Sequence, residues 1–401
     1  MIFVLAGLAL YTVLAGADFG AGMWQLTAGR GPEAERLRDH AHDSMAPVWE
    51  ANHVWLIFVI TVLWTAYPAA FGSIASTLSI PLFLAGIGIV LRGAAYAVRS
   101  GTRTPGEARR VDDVFSISSL LTPFALGAAV GGIASRRVPV GNATGDRFSS
   151  WIGPTSILIG LLAVVSAAYI AAVFLSADAA RIGDAELARR FRLRALTAGG
   201  VAGAIAVGGL AVLHSDAHPL YHRLVAGPGL PGLIVSVLAG GLALGLVWRR
   251  RFELARYTAA LAVAAIIAGW ALAQQPILLR GLTIAQAAAP HDTLVLVIVA
   301  VLAGGAILFP SLAWLFRLVL GGRMDHAPAA PDLAATGAAV ASVLAPGILG
   351  RAAAASLIAG FGLLTVANAG WAHAIGVFCL IAFVALGFGA MAPTRLADQE
   401  P

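Results

Sequence analysis

Long apolar runs alternate with short arginine-bearing segments along almost the whole chain. A membrane-crossing helix needs roughly 20 predominantly apolar residues. By that rule the sequence predicts spans at 2–23, 54–70, 74–98, 114–133, 151–175, 195–214, 230–248, 255–272, 293–320, 352–369 and 371–391. The fold class expected is all-α: a polytopic transmembrane helix bundle of about nine spans, followed by two more. The stretch HAPAAPD, His326 to Asp332, is rich in Pro and Ala and reads as a linker. The expected organisation is therefore a bundle at 1–325, a linker at 326–351 and a C-terminal transmembrane hairpin at 352–401. The apolar N-terminus carries no basic n-region, so it reads as a retained first span and not a cleaved signal peptide.

Composition agrees with the pattern. Hydrophobic residues make up 59% and charged residues 11%, against about 25% charged in a soluble domain. So little charge cannot cover a water-facing surface. The net charge of +6 comes from arginine alone, with no lysine, and no basic face with interleaved aromatics points to nucleic acid. Arginines are concentrated in alternate loops. Arg30, Arg36 and Arg38 follow the first span, Arg99, Arg103, Arg109 and Arg110 the third, Arg181 to Arg194 the fifth, and Arg249 to Arg256 the seventh. The positive-inside rule then puts these loops in the cytoplasm and the N-terminus outside. The single cysteine, Cys379, excludes a disulfide within the chain.

Ionisable residues inside the apolar runs carry the functional signal. A charge at bilayer depth costs roughly 2.5–3.5 kcal/mol on insertion scales, so function is the default hypothesis for it. GADFGAG, Gly16 to Gly22, places Asp18 late in the first span, and Gly16 and Gly20 form a small-residue face for close helix packing. Asp18 is either held in that interface or meets water at the helix end. VWEANHVWL, Val48 to Leu56, places Glu50 and His53 three residues apart, with Trp49 and Asn52 on or beside the same face. A carboxylate beside an imidazole titrates as a coupled pair and suits proton relay; a water-facing helix end is the plainer alternative. Arg92 could pair with a buried acid or bind a lipid or a cofactor propionate. Its place near a span end favours snorkelling toward the headgroups. Asp112 and Asp113 are expected to open the fourth span, where acids favour the helix dipole. His214, His218 and His222 recur every four residues, but Pro219 breaks the helix that would align them, which argues against a shared metal. Interior candidates for haem axial ligation are few: His53, His373 and some methionines.

Four segments in order resemble subunit II of the cytochrome bd-type quinol oxidases. They are YTVLAGADFGAG, then APVWEANHVWLIFVITVLWTAYPAAF, then SLLTPFALGAAVGGI, then QQPILLRGLTIAQAAAPHDTL. Ala15 and Ala17 stand where the family often has Asp and Phe. Glu50 and Ala51 replace the usual Asp and Gly, and His53 stands where Glu or Gln is common. The resemblance covers about residues 1–323 and describes a divergent member.

The resemblance implies a heterodimer with subunit I in a bacterial inner membrane, oxidising quinol and reducing oxygen to water. Haem b and haem d are expected on subunit I, with none ligated by this chain; a quinone bound here is allowed. On that reading Glu50, Asp18 and Asp112 match acids of a cytoplasmic proton route, with His53 beside it. Asn52 and Trp49 position Glu50. Membrane lipid is the other expected partner. A proton-coupled transporter is the rival class, though no internal repeat or matched pair of broken helices supports it.

Overall fold

A backbone in hydrocarbon must satisfy its polar groups internally, so an apolar chain of this kind can cross only as helices or a closed barrel. The computed structural model shows helices. It describes residues 1–29, 31–99, 105–320, 348–366 and 369–391. Two units separate: Met1–Gly304 and Gly305–Pro401. The first contains α1 (Ile2–Leu26), α2 (Pro32–Ala66), α3 (Pro68–Thr77), α4 (Ser79–Arg99), α5 (Pro105–Ala134), α6 (Pro154–Arg181), α7 (Ala185–Asp216), α8 (His218–Val225), α9 (Leu230–Trp248) and α10 (Phe252–Gln274). A hairpin of β1 (Ile277–Leu279) and β2 (Leu282–Thr283) follows, turned by Gly281 at φ +84°, then a single helical turn, α11 (Ile284–Ala287). Helix α12 (His291–Leu320) runs across the division between the units. The second unit holds α13 (Ile348–Val366) packed on α14 (Gly370–Met391). The expected linker around His326 to Asp332 lies outside the described residues.

Eight of the described helices are long and apolar enough to cross a membrane. Several helices begin well before the apolar stretch that predicted them: α2 starts at Pro32, α5 at Pro105 and α7 at Ala185. Hydropathy marks only the part that meets lipid. The backbone bonds of a helix are local and continue into water wherever a polar face supports them. Tyr67 and Pro68 end α2 because proline lacks an N–H and pushes the residue before it out of helical conformation. The predicted span 54–70 is thereby corrected to end at Ala66.

Packing relies on small residues. Helix α1 lies against α2, α5 and α6, and α4 lies against α5. A Cβ at Gly20 would collide with the backbone carbonyl of Ala167 and the methyl of Ala171, both on α6. One turn further, Trp24 Nε1 donates to the Ala168 carbonyl at 2.8 Å. The glycine face read in the sequence is thus the α1–α6 contact. A core of Ala17, Ala21, Leu37, Ala41, Ile170 and Phe191, among others, joins α1, α2, α6 and α7 at the arginine-rich end. There Arg36 pairs with Asp184 at 2.6 Å, and Arg190 pairs with Glu33 at 2.5 Å, docking the polar half of α2 on the start of α7.

Two outcomes test this packing. Gly20→Ala should destabilise the solubilised protein by about 1–3 kcal/mol, the usual cost of overpacking, whereas Gly203→Ala, which points into open space, should be neutral or slightly stabilising. Thermal unfolding of the two variants reads the difference. The second test uses Asp184, which caps α7. The Leu187 backbone N–H, with Arg36 beside it, holds its carboxyl below the ordinary range. A lowered folded value contributes stability that is present above the unfolded value near 3.8 and lost as pH falls through the folded one. Melting curves from pH 6 to pH 3 should therefore show a loss that is smaller in Asp184→Asn.

Candidate functional site

Four helices, α1, α2, α4 and α5, bring the intramembrane polar residues together. At the centre Arg92 of α4 meets Asp18 of α1 as a bidentate pair: Nη1 donates to Oδ2 at 2.5 Å and Nη2 to Oδ1 at 2.6 Å. Nη2 also donates to the Asp18 backbone carbonyl at 3.0 Å, and Nε donates to Ser119 Oγ on α5 at 2.9 Å. Asn52 Nδ2 on α2 donates to Asp18 Oδ2 at 2.8 Å. The guanidinium carbon lies 4.3 Å from the Phe115 ring centroid and 4.9 Å from that of Phe19. Asp18 and Arg92 are each 1% exposed, and Asn52 and Ser119 are fully buried. Arg92 therefore does not snorkel. Its stem would have reached the headgroups, but a partner acid on the facing helix and two aromatic faces offer the guanidinium a satisfied interior place.

Such close approach needs glycine. A Cβ at Gly22 would strike Ser119, and a Cβ at Gly88 would strike the Thr122 hydroxyl. Two buried atoms beside the pair have no partner among the described residues: Asn52 Oδ1 and the Tyr11 hydroxyl. Tyr11 stands two turns from Asp18, about 10.5 Å along α1, packed with Ala15, Phe19, Trp55 and Ile89.

Two turns from the pair in the other direction, the same helices open to a cavity of about 380 Å³. Gln25, Arg38, Asp39, Tyr96, Arg99 and Asp112 line it. Gln25 follows Asp18 by seven residues, Arg99 follows Arg92 by seven, and Asp112 precedes Ser119 by seven. Seven residues is close to two helical turns, so each repeats its face. Arg99 Nε donates to Asp112 Oδ1 at 2.6 Å. Asp112 and Asp113 were expected to open their helix. Because α5 starts at Pro105, both lie inside it, and Asp112 is committed to Arg99 and the cavity instead of to the helix dipole.

Of the residues singled out in the sequence, the structure gathers Asp18, Arg92 and Asn52 into one cluster and sets Asp112 at the cavity. His53 follows Asn52 on α2 and is half-buried. The side chains of Glu50 and Trp49 lie outside the described residues. Sequence reasoning missed Ser119, Phe115 and Phe19 as partners of Arg92, and Gln25, Arg38, Asp39 and Tyr96 as the cavity wall. The seven-residue spacing of Arg92 and Arg99 was the available signal.

The family described as cytochrome bd terminal oxidase subunit II matches residues 1–319. The chain is 25% identical to the putative cytochrome bd menaquinol oxidase subunit II of Bacillus subtilis over 225 residues, 54% of this chain and 62% of that protein. It is 27% identical to the cytochrome bd-I ubiquinol oxidase subunit 2 of Escherichia coli over 123 residues, 31% of this chain and 32% of that protein. These matches span less than two thirds of the curated relatives. Among solved structures, the bd oxidase from Geobacillus thermodenitrificans superposes with a TM-score of 0.61 at 25% identity, covering 80% of this chain and 99% of that chain.

Removing one member of a buried pair leaves an uncompensated charge and costs about 3–5 kcal/mol. Arg92→Met and Asp18→Asn should each lower thermal stability by that order. The double variant Arg92→Met with Asp18→Leu should recover much of the loss, since an apolar replacement of the whole pair is often neutral. Equal melting of the single and double variants would remove the ion pair as the anchor of the four-helix cluster.

Proposed function

The chain belongs to the cytochrome bd terminal oxidase subunit II family, and from that premise we propose that it is the second subunit of a quinol-oxidising, oxygen-reducing oxidase in a bacterial cell membrane. It is a multi-pass membrane protein. Its partner in this reading is subunit I, and the pair oxidises quinol and reduces oxygen to water. The transporter alternative loses its ground to the family match across four fifths of the chain.

Haem chemistry belongs to the complex, and we assign haem b and haem d to the partner. The residues of this chain do not fit a haem within the four-helix cluster. Its interior is closed by glycine contacts such as Gly22 on Ser119 and Gly88 on Thr122, and its central cation and acid are already paired.

What this chain contributes is scaffold and a proton path. The observation that carries the path is the alignment of the cavity beneath the buried pair on three shared helices. We orient the arginine-rich end toward the cytoplasm and the N-terminus outside, as the positive-inside rule asks. The cavity at Asp39, Arg99 and Asp112 then takes up cytoplasmic protons, and Glu50 and His53 on α2 pass them toward the partner. Asp18 contributes as an anchor: both of its carboxylate oxygens accept bonds from fixed donors, so it orients Asn52, two residues along the sequence from Glu50. In sequence, Trp49 precedes that acid and Asn52 follows it by two residues.

The test starts with gentle purification from the native membrane and a dithionite-reduced spectrum. Haem b and haem d bands from a co-purifying partner are expected; intact, haem-free complexes would overturn the oxidase reading. In the assembled oxidase, Asp112→Asn and Glu50→Gln should each lower turnover by at least about tenfold, equivalent to about 1.4 kcal/mol in the barrier. Normal turnover in both would leave the chain a scaffold without a proton role.

A further inference from the structure

The three histidines at the far end of the bundle belong to no part of the proposed proton path. Helix α7 ends at Asp216 and α8 begins at His218, so the break before Pro219 leaves only Ala217 between the two helices. His214 of α7 and His218 of α8 meet with ring centroids 5.1 Å apart and planes at 71°. The Tyr221 ring stands edge-on to His214 at 5.0 Å. Both imidazoles are exposed, and neither makes a hydrogen bond to a described residue. The corner itself is held. Asp216 accepts from Arg137 Nη2 at 2.5 Å and from the Thr155 hydroxyl and backbone N–H at 2.6 and 3.1 Å. The Ala217 N–H donates back to the Leu213 carbonyl at 3.0 Å. The two rings thus extend from a fixed corner, not from a free loop.

We propose that His214 and His218 form a chelating site for a borderline divalent transition-metal ion such as Zn²⁺, Cu²⁺ or Ni²⁺. Imidazole nitrogen suits these ions, where carboxylate and carbonyl oxygen suit Mg²⁺ and Ca²⁺. The centroid separation, which an ordinary edge-on ring contact also has, matches that of two imidazoles on one ion. With a metal–nitrogen bond of about 2.0–2.1 Å and a ring centroid roughly 1.2 Å behind the nitrogen, two imidazoles on a tetrahedral ion have centroids about 5.2 Å apart. The remaining coordination positions are filled by water. His222, one turn beyond His218 on α8, offers the competing pair, because histidines four apart on a helix share a face. The ring contact in the structure is to His214, so the ion bridges the break between α7 and α8.

The experiment uses the full chain in its complex, purified without a polyhistidine tag, and Cu²⁺ alone as the probe. Electron paramagnetic resonance should show one axial Cu²⁺ signal per complex with nitrogen hyperfine structure, and Zn²⁺ should displace it. His218→Ala and His214→Phe should each weaken binding by more than about 100-fold, beyond the 10- to 100-fold that loss of an outer-shell partner produces. The phenylalanine variant keeps an aromatic ring at the contact and removes both ring nitrogens, and an unchanged melting temperature checks that it folds. His222→Ala should leave the signal intact. Retention of the signal in His214→Phe, or its loss in His222→Ala alone, would overturn the proposal. None of these readouts depends on oxidase activity, so this proposal and the functional assignment stand or fall separately.

Discussion

Placing an arginine and an aspartate in a nonaqueous interior is the constraint around which the first unit is organised. Either charge alone is expensive at that depth. Together they are tolerable only with near-ideal geometry and further bonds to the remaining donors and acceptors. Arg92 uses four of its five N–H donors on Asp18 and Ser119, and two phenyl faces cover its plane. That demand reaches four helices. Asp18 fixes α1, Asn52 fixes α2, Arg92 fixes α4 and Ser119 fixes α5. Glycines at 22 and 88 follow from it, because a methyl at either would hold α1 or α4 too far from α5 for bonds of this length.

The same geometry separates fixed charge from charge that meets water. The buried pair has no exposed face, whereas Arg99 and Asp112 keep 40% and 24% of their side chains accessible. Two helical turns lie between them. In the proposed function this division is useful: a rigid ionic centre sets the spacing of the helices, and proton uptake is assigned to the water-accessible end. The departures from the family pattern fit that arrangement. Ala15 and Ala17 are 2% and 0% exposed and pack into apolar clusters. An added carboxylate at Ala15 would be a second buried acid, and the Arg92 guanidinium is already taken by Asp18.

The two ends of the bundle solve different problems. At the arginine-rich end, polar extensions of α2 and α7 dock through Arg36–Asp184 and Glu33–Arg190, and Arg256 reaches Asp178 at 2.5 Å. The exposed pairs Arg36–Asp184 and Glu33–Arg190 contribute little individually, so the Leu37, Ala41 and Phe191 core beneath them supplies most of the docking of α2 on α7. At the opposite end short elements replace long ones. The α3 segment, the β1–β2 hairpin, α8 and the Asp216 staple turn the chain within a few residues, and prolines mark the first turns of α3 and α8.

The sequence by itself determined the class of molecule, the approximate position of its helices, the family and the identity of the costly residues. These follow from hydropathy, from the arginine distribution and from local motifs, all of which are one-dimensional. It also exposed the Gly16–Gly20 face, since helical periodicity makes that local. Only the tertiary structure decided what Arg92 does. An arginine near a span end can reach headgroups or turn inward, and the choice depends on an acid 74 positions away on another helix. It likewise decided that Asp112 serves a cavity and not a helix end, because the start of α5 is set by polar residues that hydropathy does not register. It also brought His214 and His218 into contact by the proline break that, read along the chain, had seemed to part them. In each case the physical reason is the same: local patterns fix which face a residue shares, while the partner across the interface is fixed by how whole helices pack.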